Sequence, residues 1–190
     1  HNEPGGGFIA GLVVAIGFLR SDAAAEETAA ELRALGAEPV LVRGNVTSDR
    51  VLEQIRELGR LDVFVHNAAT GVIRPALETE DKHWDWTLNA NARAFLSLTR
   101  AIAPTMPAGS SVVAISSLGS IRVLENYALV GTSKAALESL VRYLAVELGP
   151  AGVLCNSVAP GTIATEMVEG LMTANPVLRE RLVSKSPLAR

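Results

Sequence analysis

The chain has 190 residues, with 17 Lys and Arg against 20 Asp and Glu, a formal net charge of −3. At 48% hydrophobic residues it stands well outside the disordered class and is long enough for one domain with a sizeable core, and its slight acidity argues against a nucleic-acid partner, whose phosphates call for a basic face. A single Cys155 excludes an intramolecular disulfide, and His1, His66 and His83 lie too far apart to form a cluster at metal-ligand spacing, so a reducing cytoplasm and no metal are expected.

The longest apolar run, Phe8 to Leu19, spans about 12 residues, whereas a membrane span needs roughly 20, and no Lys or Arg precedes it as in a signal peptide. No membrane association is expected. Leu12 to Leu19 reads as a buried strand ending in Arg20-Ser21, and Ala23 to Leu35 as a helix closed by Gly36. Pro39 to Val42 is the next strand, followed by Asn45. Val51 to Leu58 is a helix closed by Gly59, and Leu61 to Val65 is a short strand leading into His66-Asn67-Ala68-Ala69-Thr70. A long helix over Lys82 to Ala103 is interrupted by Pro104 and Pro107. Ser111 to Ile115 forms a central strand ending in Ser116-Ser117, and a helix runs from about Ser133 to Leu148. Val153 to Val158 is a further strand, ending at Ala159-Pro160-Gly161, and Glu166 to Val183 is mostly helical.

Alternation of the two periodicities predicts an α/β fold, a doubly wound parallel sheet flanked by helices. With few aromatics, its core is expected to be built from Ala, Val, Leu and Ile. No repeat or linker divides the chain, which predicts a single domain over 1–190. In open parallel sheets, ligands sit beyond the carboxyl ends of the strands. Polar and small residues collect at five such ends, which predicts a cofactor cleft along one edge.

Ser117, Tyr127 and Lys134 are the candidates for chemistry. A phenol with an ordinary pKa near 10 needs a nearby cation to work at neutral pH, and Lys134 supplies one. Ser116-Ser117, Tyr127 and Lys134 resemble the short-chain dehydrogenase/reductase family, a Rossmann-like fold. There a Tyr donates a proton to the substrate oxygen, a Lys lowers the Tyr pKa and binds the nicotinamide ribose, and a Ser orients the substrate. The usual spacing puts the Tyr four residues before the Lys, where this chain has Val130. Tyr127 stands seven before. Seven residues are two helical turns less about 20°, so a helical Tyr127 keeps nearly the same face but moves roughly 4.5 Å further along the axis than position 130. When a carbonyl is reduced, the protonated oxygen is bonded to the carbon that takes the hydride. When an enoyl thioester is reduced, hydride goes to the β-carbon and the oxygen lies two carbons further away, which suits the displaced Tyr. Tyr-x6-Lys is the spacing of enoyl-[acyl-carrier-protein] reductases in this superfamily.

The stretches Gly59 to Val65, His83-Trp84-Asp85-Trp86, Ile115 to Arg122, Leu124 to Tyr127 and Ser133 to Glu138 look like enoyl-[acyl-carrier-protein] reductase III, the NADPH-using bacterial branch, over about Phe18 to Val158. The resemblance implies Tyr127 as proton donor to the enolate, Lys134 as ribose and pKa partner, Ser117 as an active-site hydroxyl, and Asn91 as the amide that supports the Lys through a water. It also implies an acyl thioester on acyl carrier protein or coenzyme A as substrate, and a homodimer or homotetramer. Plainer readings stand beside these: Asn91 as a capping or surface amide, Tyr143 as packing at a helix interface, and Trp84 and Trp86 as core or interface aromatics.

For the cofactor, Gly7-x3-Gly11 copies the first two glycines of the family's Gly-x3-Gly-x-Gly loop, with Val13 at the third. Too little chain surrounds it for the first strand and helix, so the fold is expected to lack parts of its N-terminal βα unit and its C-terminal strand. No acid precedes Arg20 at its strand end. Arg20 and Ser21 suit a 2′-phosphate, predicting NADPH rather than NADH; the plainer reading pairs Arg20 with Asp22. Asn45, with Val46 beside it, would face the adenine, Asn67, Ala68 and Ala69 the adenosine ribose, and Pro160, Gly161, Ile163 and Thr165 the nicotinamide end. Val123, Leu124, Met167 and the apolar part of 163–187 are candidates for an acyl pocket. The expected activity is NADPH-dependent reduction of an enoyl thioester in fatty acid or related acyl-chain synthesis. A carbonyl-reducing member of the superfamily and a non-catalytic NADP-binding protein are the alternatives.

Overall fold

The computed structural model describes residues 12–161 and residue 163. The candidates Gly7, Gly11, Thr165 and Met167, and the helix expected over 166–183, lie outside the described residues.

Among the described residues five strands and five α-helices follow one another: β1 (Val13–Phe18), α1 (Asp22–Ala34), β2 (Glu38–Arg43), α2 (Asp49–Glu57), β3 (Val63–His66), α3 (Asp81–Leu88), α4 (Ala94–Ile102), β4 (Ser111–Ile115), α5 (Ala128–Leu148) and β5 (Leu154–Val158). Every ladder is parallel. β1 pairs with β2, Val13 opposite Glu38; β4 is flanked by β3, Val63 opposite Ser111, and by β5, Ser111 opposite Leu154. This is the Rossmann-like α/β arrangement expected from the alternating periods. The strands form two sheets, β1-β2 and β3-β4-β5, rather than one. Their carboxyl ends therefore do not share a single sheet edge among the described residues, as the sequence led us to expect.

The main core lies between β4 and the helices α4 and α5. Phe95 and Ile102 from α4 and Leu137, Val141 and Leu144 from α5 close over Val112 and Ala114. Aliphatic side chains supply most of it, as the composition implies. Among the described residues no helix is long and apolar enough to cross a membrane.

Three boundaries depart from expectation. β3 starts at Val63, not Leu61, the residues before it carrying the exposed Arg60–Asp62 ion pair at 2.7 Å. The long helix over Lys82 to Ala103 is present but holds a π turn at Asn89–Arg93, between α3 and α4. Helix α5 begins at Ala128, five residues before the expected start. Gly131 is no breaker there: a Cβ at that position would lie 2.6 Å from the Gly119 carbonyl oxygen, so the glycine admits a close backbone approach inside the first turns.

Candidate active site

The site is built where β4 ends against the start of α5. After Ile115 the chain passes through Ser116 to Ser117, whose extended backbone caps a single 3₁₀ turn, Leu118–Ser120. Ser117 Oγ accepts from the Gly119 N–H at 3.3 Å and from the Tyr127 hydroxyl at 3.3 Å. Tyr127 caps α5 from just outside it, with φ −106° and ψ 13°. Asn126 before it adopts a left-handed φ of 59°, and its carbonyl accepts from the Arg74 N–H at 2.8 Å. Tyr127 therefore does not occupy the helical face inferred from the seven-residue spacing. Val130, at the position where the commoner spacing would place the phenol, is buried against Gly71.

Lys134 is only 5% exposed. Its Nζ donates to the Ile115 carbonyl at 2.7 Å, two residues before Ser117, and burial pushes its pKa below the usual lysine value. An ammonium has three protons to donate, so this bond leaves two free. Ser117 and Tyr127 are thus in contact, and Lys134 is tied to the strand end that carries Ser117.

Asn91 is fully buried in the π turn, which overturns the surface-amide reading. Its Oδ1 accepts from the Thr70 N–H at 2.8 Å, and its Nδ2 donates to the Thr70 carbonyl and to Ser133 Oγ, each at 2.8 Å. The amide ties the segment after β3 to α5 at the residue next to Lys134, and makes no direct bond to the lysine.

Three residues passed over in the sequence take part. Glu138 Oε1 accepts from both Ser116 and Ser120. His66, at the end of β3, is buried against Phe95 with ring centroids 5.5 Å apart, and its Nε2 has no hydrogen-bond partner among the described residues. Burial, followed by the Lys134 charge, pushes its pKa down to about 4. Arg43, ending β2, pairs with Asp22 at 3.1 Å, so Asp22 is not the partner of Arg20. A cation at the end of a neighbouring parallel strand was the available signal for Arg43. Glu138 and His66 gave none, because their partners are distant in sequence.

Arg20 and Ser21 follow β1 and are both exposed; Ser21 precedes α1 without making a side-chain capping bond. Asn45 is turned on its own loop, its Oδ1 accepting from the Thr47 N–H at 3.0 Å and the Thr47 hydroxyl at 2.9 Å, with Val46 half-buried beside it. Asn67, Ala68 and Ala69 follow β3 as irregular chain, Ala68 half-buried and its neighbours exposed. After β5, Pro160 is half-buried and Gly161 and Ile163 are exposed. A cavity of about 510 Å³ opens beside Tyr127, lined among others by Gly119, Arg122, Val123 and Leu124. Trp84 and Trp86 are half-exposed rather than core, and Tyr143 stands out on α5.

A phenol and a hydroxyl in contact, with a buried ammonium bonded to the carbonyl two residues before that hydroxyl, can deliver a proton to an oxygen anion placed beside them. Comparisons with known proteins agree in kind. The family model described as enoyl-(acyl carrier protein) reductase matches residues 10–190. The chain is 34% identical over 164 residues to 1-cyclohexenylcarbonyl-CoA reductase of Streptomyces collinus, covering 84% of this chain and 59% of that protein. It is 32% identical over 188 residues to L-rhamnose 1-dehydrogenase (NAD(P)(+)) of Sphingomonas sp. strain SKA58, covering 95% and 74%. A solved short chain dehydrogenase of Burkholderia cenocepacia J2315 in complex with NADP superposes with a TM-score of 0.73 at 29% identity, over 81% of this chain and 65% of that one. The chain thus spans less than two thirds of the first of these relatives and of the solved structure.

Proposed function

The chain belongs to the short-chain dehydrogenase/reductase superfamily, in its enoyl-(acyl carrier protein) reductase-like family, and on that premise we propose that the protein reduces the trans-2 double bond of an enoyl thioester with NADPH. The observation that carries the proposal is the phenol of Tyr127 seven residues before Lys134, held 3.3 Å from Ser117 while a buried Val130 fills the nearer position. The coenzyme A thioester reductase among the relatives supports the substrate class.

The residues present fit the cofactor. Arg20 offers a planar guanidinium and Ser21 a hydroxyl without a capping bond at the start of α1, a set suited to a ribose 2′-phosphate. Lys134 keeps two donors for the nicotinamide ribose hydroxyls. Bound NADPH supplies the hydride that adds to the β-carbon.

The chain's own groups handle the oxygen. Tyr127 gives its hydroxyl proton to the enolate oxygen as charge builds there. Ser117 already accepts two hydrogen bonds, so its own proton is free to hold the same oxygen. The apolar wall of Val123 and Leu124 beside Tyr127 suits the acyl chain.

The rhamnose dehydrogenase among the relatives favours a second reading, reduction of a carbonyl. NADPH oxidation with crotonyl-CoA and with acetoacetyl-CoA separates the two. We expect turnover on the enoyl thioester; turnover confined to the ketone would replace the first reading by the second.

A further inference from the structure

We propose that Glu138 is a positioning residue whose carboxylate fixes the turn carrying Ser117, and through it the phenol of Tyr127; the inference rests on Tyr127 being the proton donor. Glu138 lies on α5 one helical turn beyond Lys134 and is half-buried. Its Oε1 accepts from Ser116 Oγ at 2.5 Å and from Ser120 Oγ at 2.7 Å. No cation pairs with it among the described residues, so two hydroxyls hold the charge. Hydrogen bonds from hydroxyls to a carboxylate are short and about twice as strong as neutral ones.

Ser116 and Ser120 bracket Ser117. Lys134 grips the preceding carbonyl, Ile115, at 2.7 Å. Successive turns of α5 therefore clamp the strand end from both sides, the ammonium at 115 and the carboxylate at 116 and 120. What lies between the clamps has no slack. A Cβ on Gly119 would lie 2.6 Å from the Tyr127 ring, and one on Gly131 would lie 2.6 Å from the Gly119 carbonyl. Displacement of the turn is passed straight to the phenol and to the Ser117 hydroxyl it touches. Without the carboxylate, Ser116 is left buried with no acceptor and the turn is released at both ends.

Misplacement by an ångström costs on the order of 100-fold in rate, so Glu138→Ala in the full-length protein is expected to lower kcat about 10- to 100-fold. The dissociation constant for NADPH should stay near wild type. Glu138→Gln keeps an acceptor at the same place and should recover most of the rate. The Ser116→Ala/Ser120→Ala pair should reproduce the Glu138→Ala defect, and the triple variant should be no worse than either, as for groups acting through one contact. Kinetics are to be measured on whichever thioester the wild type reduces, so loss of the enoyl reading does not remove the test. A readout without turnover comes from the tyrosines, of which there are only two. In a Tyr143→Phe background a carbon-13 tyrosine label reports Tyr127 alone. Its ring signal should shift or broaden with Glu138→Ala and return with Glu138→Gln. An unchanged ring signal in Glu138→Ala, a kcat within twofold of wild type, or rate losses that multiply between Glu138 and the serine pair would each overturn the proposal.

Discussion

At the scale of single residues, Tyr127→Phe separates chemistry from packing, because it removes only the hydroxyl and leaves the ring against Gly119. A lost general acid costs about 10² to 10⁴ in kcat. Steady-state NADPH oxidation should show that loss with KM for NADPH little changed, and retained turnover would remove the phenol from the mechanism. Arg20→Ala should raise KM for NADPH and leave KM for NADH alone, which checks the phosphate site. His66 gives a stability signature of its own. In the folded chain it stays neutral down to about pH 4, whereas its ordinary value is 6.5. Between those values the unfolded chain binds more protons, so stability falls on acidification and rises with pH. At 1.36 kcal/mol per pH unit the whole window is worth roughly 3 kcal/mol. Urea unfolding across it should show that slope, and His66→Phe should flatten it.

At the scale of elements, the contact between the 118–120 turn and the first turns of α5 governs the site. Gly131→Ala gains roughly 1 kcal/mol in helix propensity. It also puts a methyl 2.6 Å from a backbone oxygen that cannot rotate away. Overpacking of this kind costs about 1–3 kcal/mol, so we expect a net loss of stability by chemical denaturation together with a fall in kcat. A variant as stable and active as wild type would show that the contact is soft. The same glycine shows where the sequence was opaque. Among the described residues periodicity located the five strands and the bodies of the helices, because burial repeats locally. Nothing in the sequence tells what Gly131 admits until the Gly119 carbonyl is known to lie beside it. The π turn is hidden for a similar reason: Asn-Ala-Asn-Ala has ordinary helical composition, and Asn91 turns inward to bond partners 21 and 42 residues away. Ser117, Tyr127 and Lys134 were legible as a spaced motif. Glu138 acquires meaning only from hydroxyls 18 and 22 residues upstream.

At the scale of the whole molecule, the outer face of α5 sets an expectation about assembly. Tyr143 is 68% exposed and Val146 77%, three residues apart on one helical face, and they line a shallow groove with Ser139, Arg142 and Glu147. An exposed tyrosine flanked by an aliphatic and an arginine has the composition of an interface core, and a C2 pairing of α5 with a second copy would bring each patch against its own image. The proposed catalytic groups lie at the amino-terminal end of the same helix, Tyr127 just before it and Lys134 within it. Tyr127 and Lys134 would then be held by a helix braced from outside by its partner as well as from inside by Leu137, Val141 and Leu144. We expect the full-length protein to be a homodimer or homotetramer by light scattering at micromolar concentration. Replacing Tyr143 and Val146 together by Asp should shift it towards monomer and lower thermal stability, with any loss of kcat recovered as protein concentration is raised. A wild type that is monomeric at those concentrations, or an Asp pair that leaves the mass unchanged, would assign the exposed face of α5 to solvent.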